Sequence, residues 1–404
     1  MVDSEPLGTT QAEHFFDFVE LPQQGPVHLA VALPGAELRA LPGFPPAAAP
    51  ESGRVASGRG LTAALCRRSC LGEAVELASC CAWGDEPLVR ARESELDGRV
   101  LSPEALNGFS VAQLTEREAW NAAYGRFDWR PTVRDPDQAI DWLPVEDAFG
   151  GPGAYVPADF AFIGRKEAGD ESAVAIGDSN GCAAGETLED AKLAAVLELI
   201  ERDATGRWWY GRDRRPPIDP VVVGGAGALT RWLAERRRRT WLFDITAAAV
   251  AVPVLAAVSA EPDGREVALG FAAQLEWQAA AVAALTEMAQ MEHSLALAAL
   301  LGAEAGSWGE WRRTVTLATA PLDAALAERP NDGPDARTFG NGSLINPLDR
   351  CAAAGIDLWF AEMARTAFAS WTVRALSTAL THYKPRLAQF TESTRPGNWV
   401  PLLM

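Results

Sequence analysis

The sequence predicts an α/β (α+β) protein in which mixed sheets carry packed helices. Two patterns point there: three long stretches with apolar residues at helical spacing, and short β-branched runs between them, bounded by Pro and Gly. The first stretch, Leu61–Ala82 (LTAALCRRSCLGEAVELASCCA), places Leu61, Leu65, Leu71 and Val75 on a helix and offers Thr62 as its N-cap. The second, ETLEDAKLAAVLELIERDATGRWWY, repeats Leu193, Val196, Leu197 and Ile200 and opens on an acidic turn that suits the helix dipole. The third runs from Trp277 to Leu301. TWLFDIT and AVPVLAAVSA, near residues 240–260, read as strands, and WLPVEDAFGGPGAYVPADFAFIG reads as a hairpin. Residues 22–56 read as short strands broken by turns, ending in a linker near Pro45–Ser52. Residues 303–345 read as a polar, partly mobile stretch. The expected division is a short N-terminal region, 1–55, followed by one large domain, 56–404.

Composition narrows the function. The chain has 404 residues with 36 basic and 54 acidic side chains, a net charge of −18. That balance argues against nucleic acid as a partner, because phosphate backbones need a basic surface. Nucleotides remain allowed, since magnesium can sit between phosphate and carboxylate. No apolar run is long enough to span a membrane and no signal peptide opens the chain, so a cytoplasmic protein is expected. The six cysteines show no zinc spacing and read as reduced thiols.

Acidic pairs recur inside the apolar helices: Glu73 with Glu76, Glu198 with Glu201, and Glu287 with Gln290. Residues at i and i+3 lie about 60° apart on a helix, so each pair faces one way. Such pairs are also common on solvated faces, and spacing alone leaves open whether the three helices meet. If they do, five carboxylates share a cavity, and only cations hold them ionised together. Magnesium so held also takes phosphate oxygens, with Arg202 neutralising further charge. There is no GxxxxGK[ST] loop, HExxH or GxSxG. Trp208, Trp209 and Tyr210 read as core, Arg236–Arg239 as a solvated turn, and Cys80–Cys81 as buried thiols.

Several runs together resemble the YcaO superfamily, specifically its azoline-forming cyclodehydratase D-proteins. They are SGRGLTAALCRRSCLGEAVE, DSNGCAAGETLEDAKLAAVLELIERDATGRWWYGRDRRPPID, FDITAAAVAVPVLAAVS, LGFAAQLEWQAAAVAALTEMAQ and LTHYKPRLAQF, spread over about residues 56–390. The resemblance implies an ATP fold without a Walker motif, using ATP and Mg2+. It implies that Glu73, Glu76, Glu198, Glu201 and Glu287 hold magnesium beside the phosphates and that Arg202 contacts phosphate. Ser69 and Asp190 would lie in the nucleotide pocket, while Arg59 and Gln290 fall in matching motifs. The implied reaction converts Cys, Ser or Thr of a ribosomal precursor peptide to thiazoline or oxazoline. A separate partner protein, ubiquitin-activating-like or related, would capture the leader peptide, and a homodimer is left open. The chain departs from the family pattern at Leu77 and Ala283, where arginines are usual, and at Glu186, where an asparagine would meet the nucleotide. Its proline-rich terminus is reduced to RPGNWVPLLM, where Trp399 and Pro401 stand in the usual motif's place. Two other outcomes stay open: thioamide or amidine formation with an external nucleophile, and a non-catalytic scaffold subunit.

Overall fold

Thr62 begins the first long helix as expected: extended at the cap, it accepts a hydrogen bond from the Leu65 amide at 3.2 Å. The computed structural model describes residues 12–211, 214–223, 227–302, 307–320, 322, 346–388 and 401–403. Helix α1 spans Ala63–Cys80, α2 Leu188–Gly211 and α3 Trp277–Leu300. Thr187 caps α2, accepting from the Asp190 amide at 3.1 Å and donating to its carboxylate at 2.8 Å. The helices are built largely from small apolar residues, so strands can press closely against them.

Three sheets receive them. Strands β1 (Phe16–Gln24), β2 (Val27–Pro34) and β3 (Ala56–Gly60) form an antiparallel sheet, in register from His28 opposite Gly60 to Ala32 opposite Ala56. This sheet joins strands on both sides of residue 55. The second sheet orders β12 (Ala268–Ala273), β11 (Val254–Ala260), β10 (Arg239–Asp244) and β9 (Pro217–Ile218), with β12 at its edge. The third orders β5 (Arg99–Val100), β7 (Ala154–Pro157), β6 (Ile140–Asp147), β13 (Trp359–Glu362), β14 (Trp371–Leu376) and β8 (Cys182–Gly185). A short strand, β4 (Val89–Ala91), also pairs with β6, and β5 with β7 is the parallel pairing.

Each long helix meets a strand at a glycine. A Cβ on Gly58 of β3 would come within 2.4 Å of the Cys70 backbone in α1. One on Gly185 of β8 would reach the Ala191 amide of α2 at 2.4 Å, and one on Gly270 of β12 the Ala284 carbonyl and Met288 amide of α3 at 2.2 Å. No side chain fits in those gaps, so glycine sets the height of all three helices above their sheets.

The largest core lies between α2, α3 and the second sheet and contains Trp208, Trp209 and Tyr210, all buried. The Tyr210 hydroxyl accepts a hydrogen bond from the Leu402 amide at 3.1 Å. All six cysteines are free and buried. Among the described residues no helix is long and apolar enough to cross a membrane.

Four expectations change in detail. The first helix starts and stops two residues inside Leu61–Ala82. Pro45–Ser52 forms two 3-10 turns that bury Ala47 and Ala48. Within 303–345, Ser307–Thr314 is a helix with Trp311 buried; residues 303–306, 321 and 323–345 lie outside the described residues, as does Trp399. The Arg236–Arg239 run is a solvated turn only in part: Arg237 and Arg239 are exposed, while Arg236 and Arg238 turn inward. Arg236 and Arg238 both clasp Glu292 of α3, at 2.7 and 3.0 Å, and that carboxylate is 3% exposed. Ser259 adds a hydrogen bond at 2.5 Å. The buried partner lies far along the chain, where a local charge pattern cannot reveal it.

Candidate active site

The three helices converge, and their glutamates face one another. Glu76 of α1 is close enough to Glu198 of α2, and Glu73 and Glu201 to Glu287 of α3, for each to feel the other's charge. The carboxylates are recessed: Glu198 and Glu201 keep only 19% and 15% exposure. Burial dominates their titration. It lifts Glu73 to about 7, Glu198 to about 8 and Glu201 to about 7, with Arg59 pulling the first back down and Arg202 the other two. Glu76 is driven well above the carboxylate range, by burial and then by Glu198. For Arg202, burial opposes the charge, but Glu198 and Glu201 outweigh it and keep the guanidinium protonated.

Edge strand β12 fixes two of the five. Its Phe271 amide donates to Glu287 at 3.0 Å and its Ala273 amide to Glu201 at 3.1 Å. An edge strand has unpaired amides, and here the carboxylates take them. Arg59 on β3 bridges to Glu287 at 3.1 Å and to Gln290 at 3.0 Å, and Gln290 in turn donates to the Ser57 hydroxyl at 2.8 Å. Arg202 approaches Glu198 at 3.4 Å and Glu201 at 3.9 Å.

The guanidinium of Arg202 also lies 5.0 Å from the Tyr383 ring. Tyr383 is held by its neighbour His382, whose Nε2 donates to Asp178 at 2.8 Å while its Nδ1 accepts from the Lys384 amide at 2.9 Å. Both ring nitrogens are engaged, and burial lowers His382 to about 4, so it is a neutral structural clasp. Gly206 lets the His382 carbonyl approach α2; a Cβ there would stand 2.6 Å away. At the inner end of the cage, Cys80 is raised well above the thiol range by its hydrogen bond to Cys182 and by burial.

A cavity of about 920 Å³ opens beside the cage. It is lined by Arg59, Ser69, Glu186 and Asp190, four of the residues singled out from the sequence, and by Ala283. Ala283 leaves that wall apolar where the family pattern has an arginine. Glu186 does not stand alone there: Arg68 pairs with it at 2.9 Å. Sequence reasoning missed Arg68, although it sits directly before Ser69. It also missed the β12 amides, which no side-chain pattern can announce.

Among the described residues no three carboxylate, histidine or cysteine side chains stand close enough to enclose a metal ion by themselves. The chemistry of the glutamates suits magnesium, which prefers oxygen ligands, keeps part of its water and completes its shell with phosphate.

Comparison with known proteins follows the same line. The family model described as YcaO cyclodehydratase, ATP- and Mg2+-binding, matches residues 57–380. A solved heterocyclase in complex with substrate and cofactor is 26% identical, with a TM-score of 0.80 over 98% of this chain and 56% of that one. The heterocyclase TruD is 27% identical, with a TM-score of 0.68 over 85% and 51%. A protein from Methanopyrus kandleri, bound with AMPPCP and Mg2+, is 21% identical and shares the fold, with a TM-score of 0.62 over 97% and 92%. The chain thus spans about half the length of the two heterocyclases.

Proposed function

Because the chain belongs to the YcaO cyclodehydratase family, we propose that it is an ATP- and Mg2+-dependent enzyme converting Cys, Ser or Thr of a precursor peptide to an azoline. The observation that carries the proposal is the convergence of five glutamates from three helices beside a cavity of about 920 Å³. Five recessed carboxylates against two arginines leave an excess of negative charge that divalent cations would balance. Magnesium, when bound, draws charge from phosphate oxygens and lowers the barrier to phosphoryl transfer.

The chain's own residues then have distinct tasks. Glu73, Glu76, Glu198, Glu201 and Glu287 hold the cations. The β12 amides and Arg59 keep Glu287 and Glu201 from turning away. Arg202, steadied by the Tyr383 ring, meets phosphate directly. Ser69 and Asp190 line the nucleotide cavity. In the reaction, a side-chain thiol or hydroxyl gives up its proton to solvent and adds to the preceding carbonyl carbon, and the resulting oxyanion displaces ADP from the γ-phosphorus. Loss of phosphate, with the nitrogen proton going to solvent, leaves the C=N bond of the azoline. We assign leader-peptide capture to a separate partner protein and the reaction to the cytoplasm.

Calorimetric titration of Mg-ATP into the wild-type protein and Glu201→Gln, with a magnesium-free control, tests this reading. The expected result is binding that requires magnesium and is lost in the variant. Magnesium-independent binding, or none by a folded protein supplied with its partner, turns the assignment to a scaffold subunit.

A further inference from the structure

The cavity lining starts beside the glutamates, at Val75 on α1 and Thr286 on α3, and extends toward each helix's N-terminus, to Arg68 and Ser69 on α1, Asp190 and Ala194 on α2 and Ala279 on α3. At about 1.5 Å per residue, the eight residues from Glu76 back to Arg68 cover roughly 12 Å, as do those from Glu198 to Asp190 and from Glu287 to Ala279. The cavity therefore runs outward from the cage. Terminal phosphates held at the cage leave the sugar and base in the half bounded by Arg68 and Glu186.

Glu186 has the wrong chemistry for phosphate. A carboxylate only accepts hydrogen bonds, and so do phosphate oxygens. The groups of a nucleotide that donate are its ribose hydroxyls and the exocyclic amine of its base. Glu186 Oε1 is taken by Arg68 at 2.9 Å, while Oε2 has no protein partner among the described residues. The side chain is 25% exposed, on the cavity wall.

Resting on the nucleotide reading of this cavity, we propose that the Arg68–Glu186 pair is a nucleoside-recognition element. Glu186 accepts from a donor group of the nucleoside, and Arg68 cancels the carboxylate's charge toward the triphosphate. The pair replaces the neutral amide that the family pattern places at residue 186, keeping the acceptor without the repulsion.

The test is titration of Mg-ATP, Mg-2′-deoxy-ATP, Mg-3′-deoxy-ATP and Mg-inosine triphosphate into four proteins: wild type, Glu186→Ala, Arg68→Ala and the double variant. Thermal melts establish that each is folded. Wild type is expected to prefer ATP over at least one analogue by about tenfold or more, the scale of a hydrogen bond to a charged group. A penalty for a deoxy analogue identifies the sugar as donor, and one for the inosine analogue identifies the base amine. Glu186→Ala is expected to bind all four alike. Arg68→Ala should weaken all of them, most at low salt, because a bare carboxylate then faces the triphosphate. Removing Glu186 as well should restore affinity without preference. Equal binding of all four by the wild type, a preference surviving Glu186→Ala, or a double variant no tighter than Arg68→Ala overturns the proposal while the nucleotide reading stands. Failure of the wild type to bind any nucleotide overturns both.

Discussion

Removing magnesium should make this protein's stability fall as pH rises through neutrality, and Glu198 sets the size of the effect. Its folded pKa is about 8 against an ordinary 4.5, raised by burial against the pull of Arg202. Below about pH 4.5 the group is protonated in both folded and unfolded chains and contributes no difference. Between 4.5 and 8 the folded chain retains a proton that the unfolded chain has released, so stability declines with pH; above 8 the whole cost is felt. At about 1.4 kcal/mol per pKa unit, that cost is about 5 kcal/mol. Protonating one glutamate relieves its neighbours, so Glu73 and Glu201 do not each add their own full cost. For a chain of this length the unfolding entropy is on the order of 0.8 kcal/mol/K, which converts the cost into a melting-point drop of about 6 °C. The assay is thermal unfolding between pH 5.5 and 8.5, with and without magnesium, on wild type and Glu198→Gln. Magnesium should restore the melting point at pH 8.5 far more than at pH 5.5. The variant without metal should be nearly flat over the same range. A wild-type curve that is flat without metal, or a variant curve parallel to it, refutes the reasoning.

Three further outcomes follow from the packing. Glu292→Ala strands Arg236 and Arg238 in a buried site and should cost about 3–5 kcal/mol in urea unfolding; a loss below 1 kcal/mol would show the clasp to be solvated. Gly270→Ala drives a methyl into the α3 backbone, at a cost of about 1–3 kcal/mol, and should weaken Mg-ATP binding by displacing Glu287; full affinity would mean that strand contact does not place the glutamate. Thiol titration at pH 8 should find the native cysteines unreactive and all six reactive in denaturant, since every one is buried and Cys81, chiefly by burial, is pushed up to about 12. Rapid labelling of Cys80 or Cys81 in the native protein would contradict that burial.

The three helices were legible because apolar spacing, the Thr62 cap and the acidic first turn of α2 are local signals, and their ends fall within two residues of expectation. Sheet partners were not. Strand β14 inserts between β13 and β8, joining residues nearly two hundred positions apart, and no local pattern names such a partner. The glutamates stood out because carboxylates inside apolar helices demand compensation. Arg68 did not stand out, since its role depends on Glu186, 118 positions away. The inward turn of Arg236 and Arg238 was missed for the same reason: their partner, Glu292, lies on another element.

The cage draws on three helices that leave the ribosome far apart in time. At roughly 5–20 residues per second, Glu287 follows Glu76 by about 10–40 s. During that interval the nascent chain carries finished α1 and α2 sequences whose apolar, carboxylate-bearing faces have nothing to close against. The cage is incomplete until α3 docks on Gly270, so nothing that binds the finished cage can template the earlier steps. Lesions in the α3–β12 contact should therefore also lower the yield of folded chains during synthesis, in addition to their effect on the folded molecules.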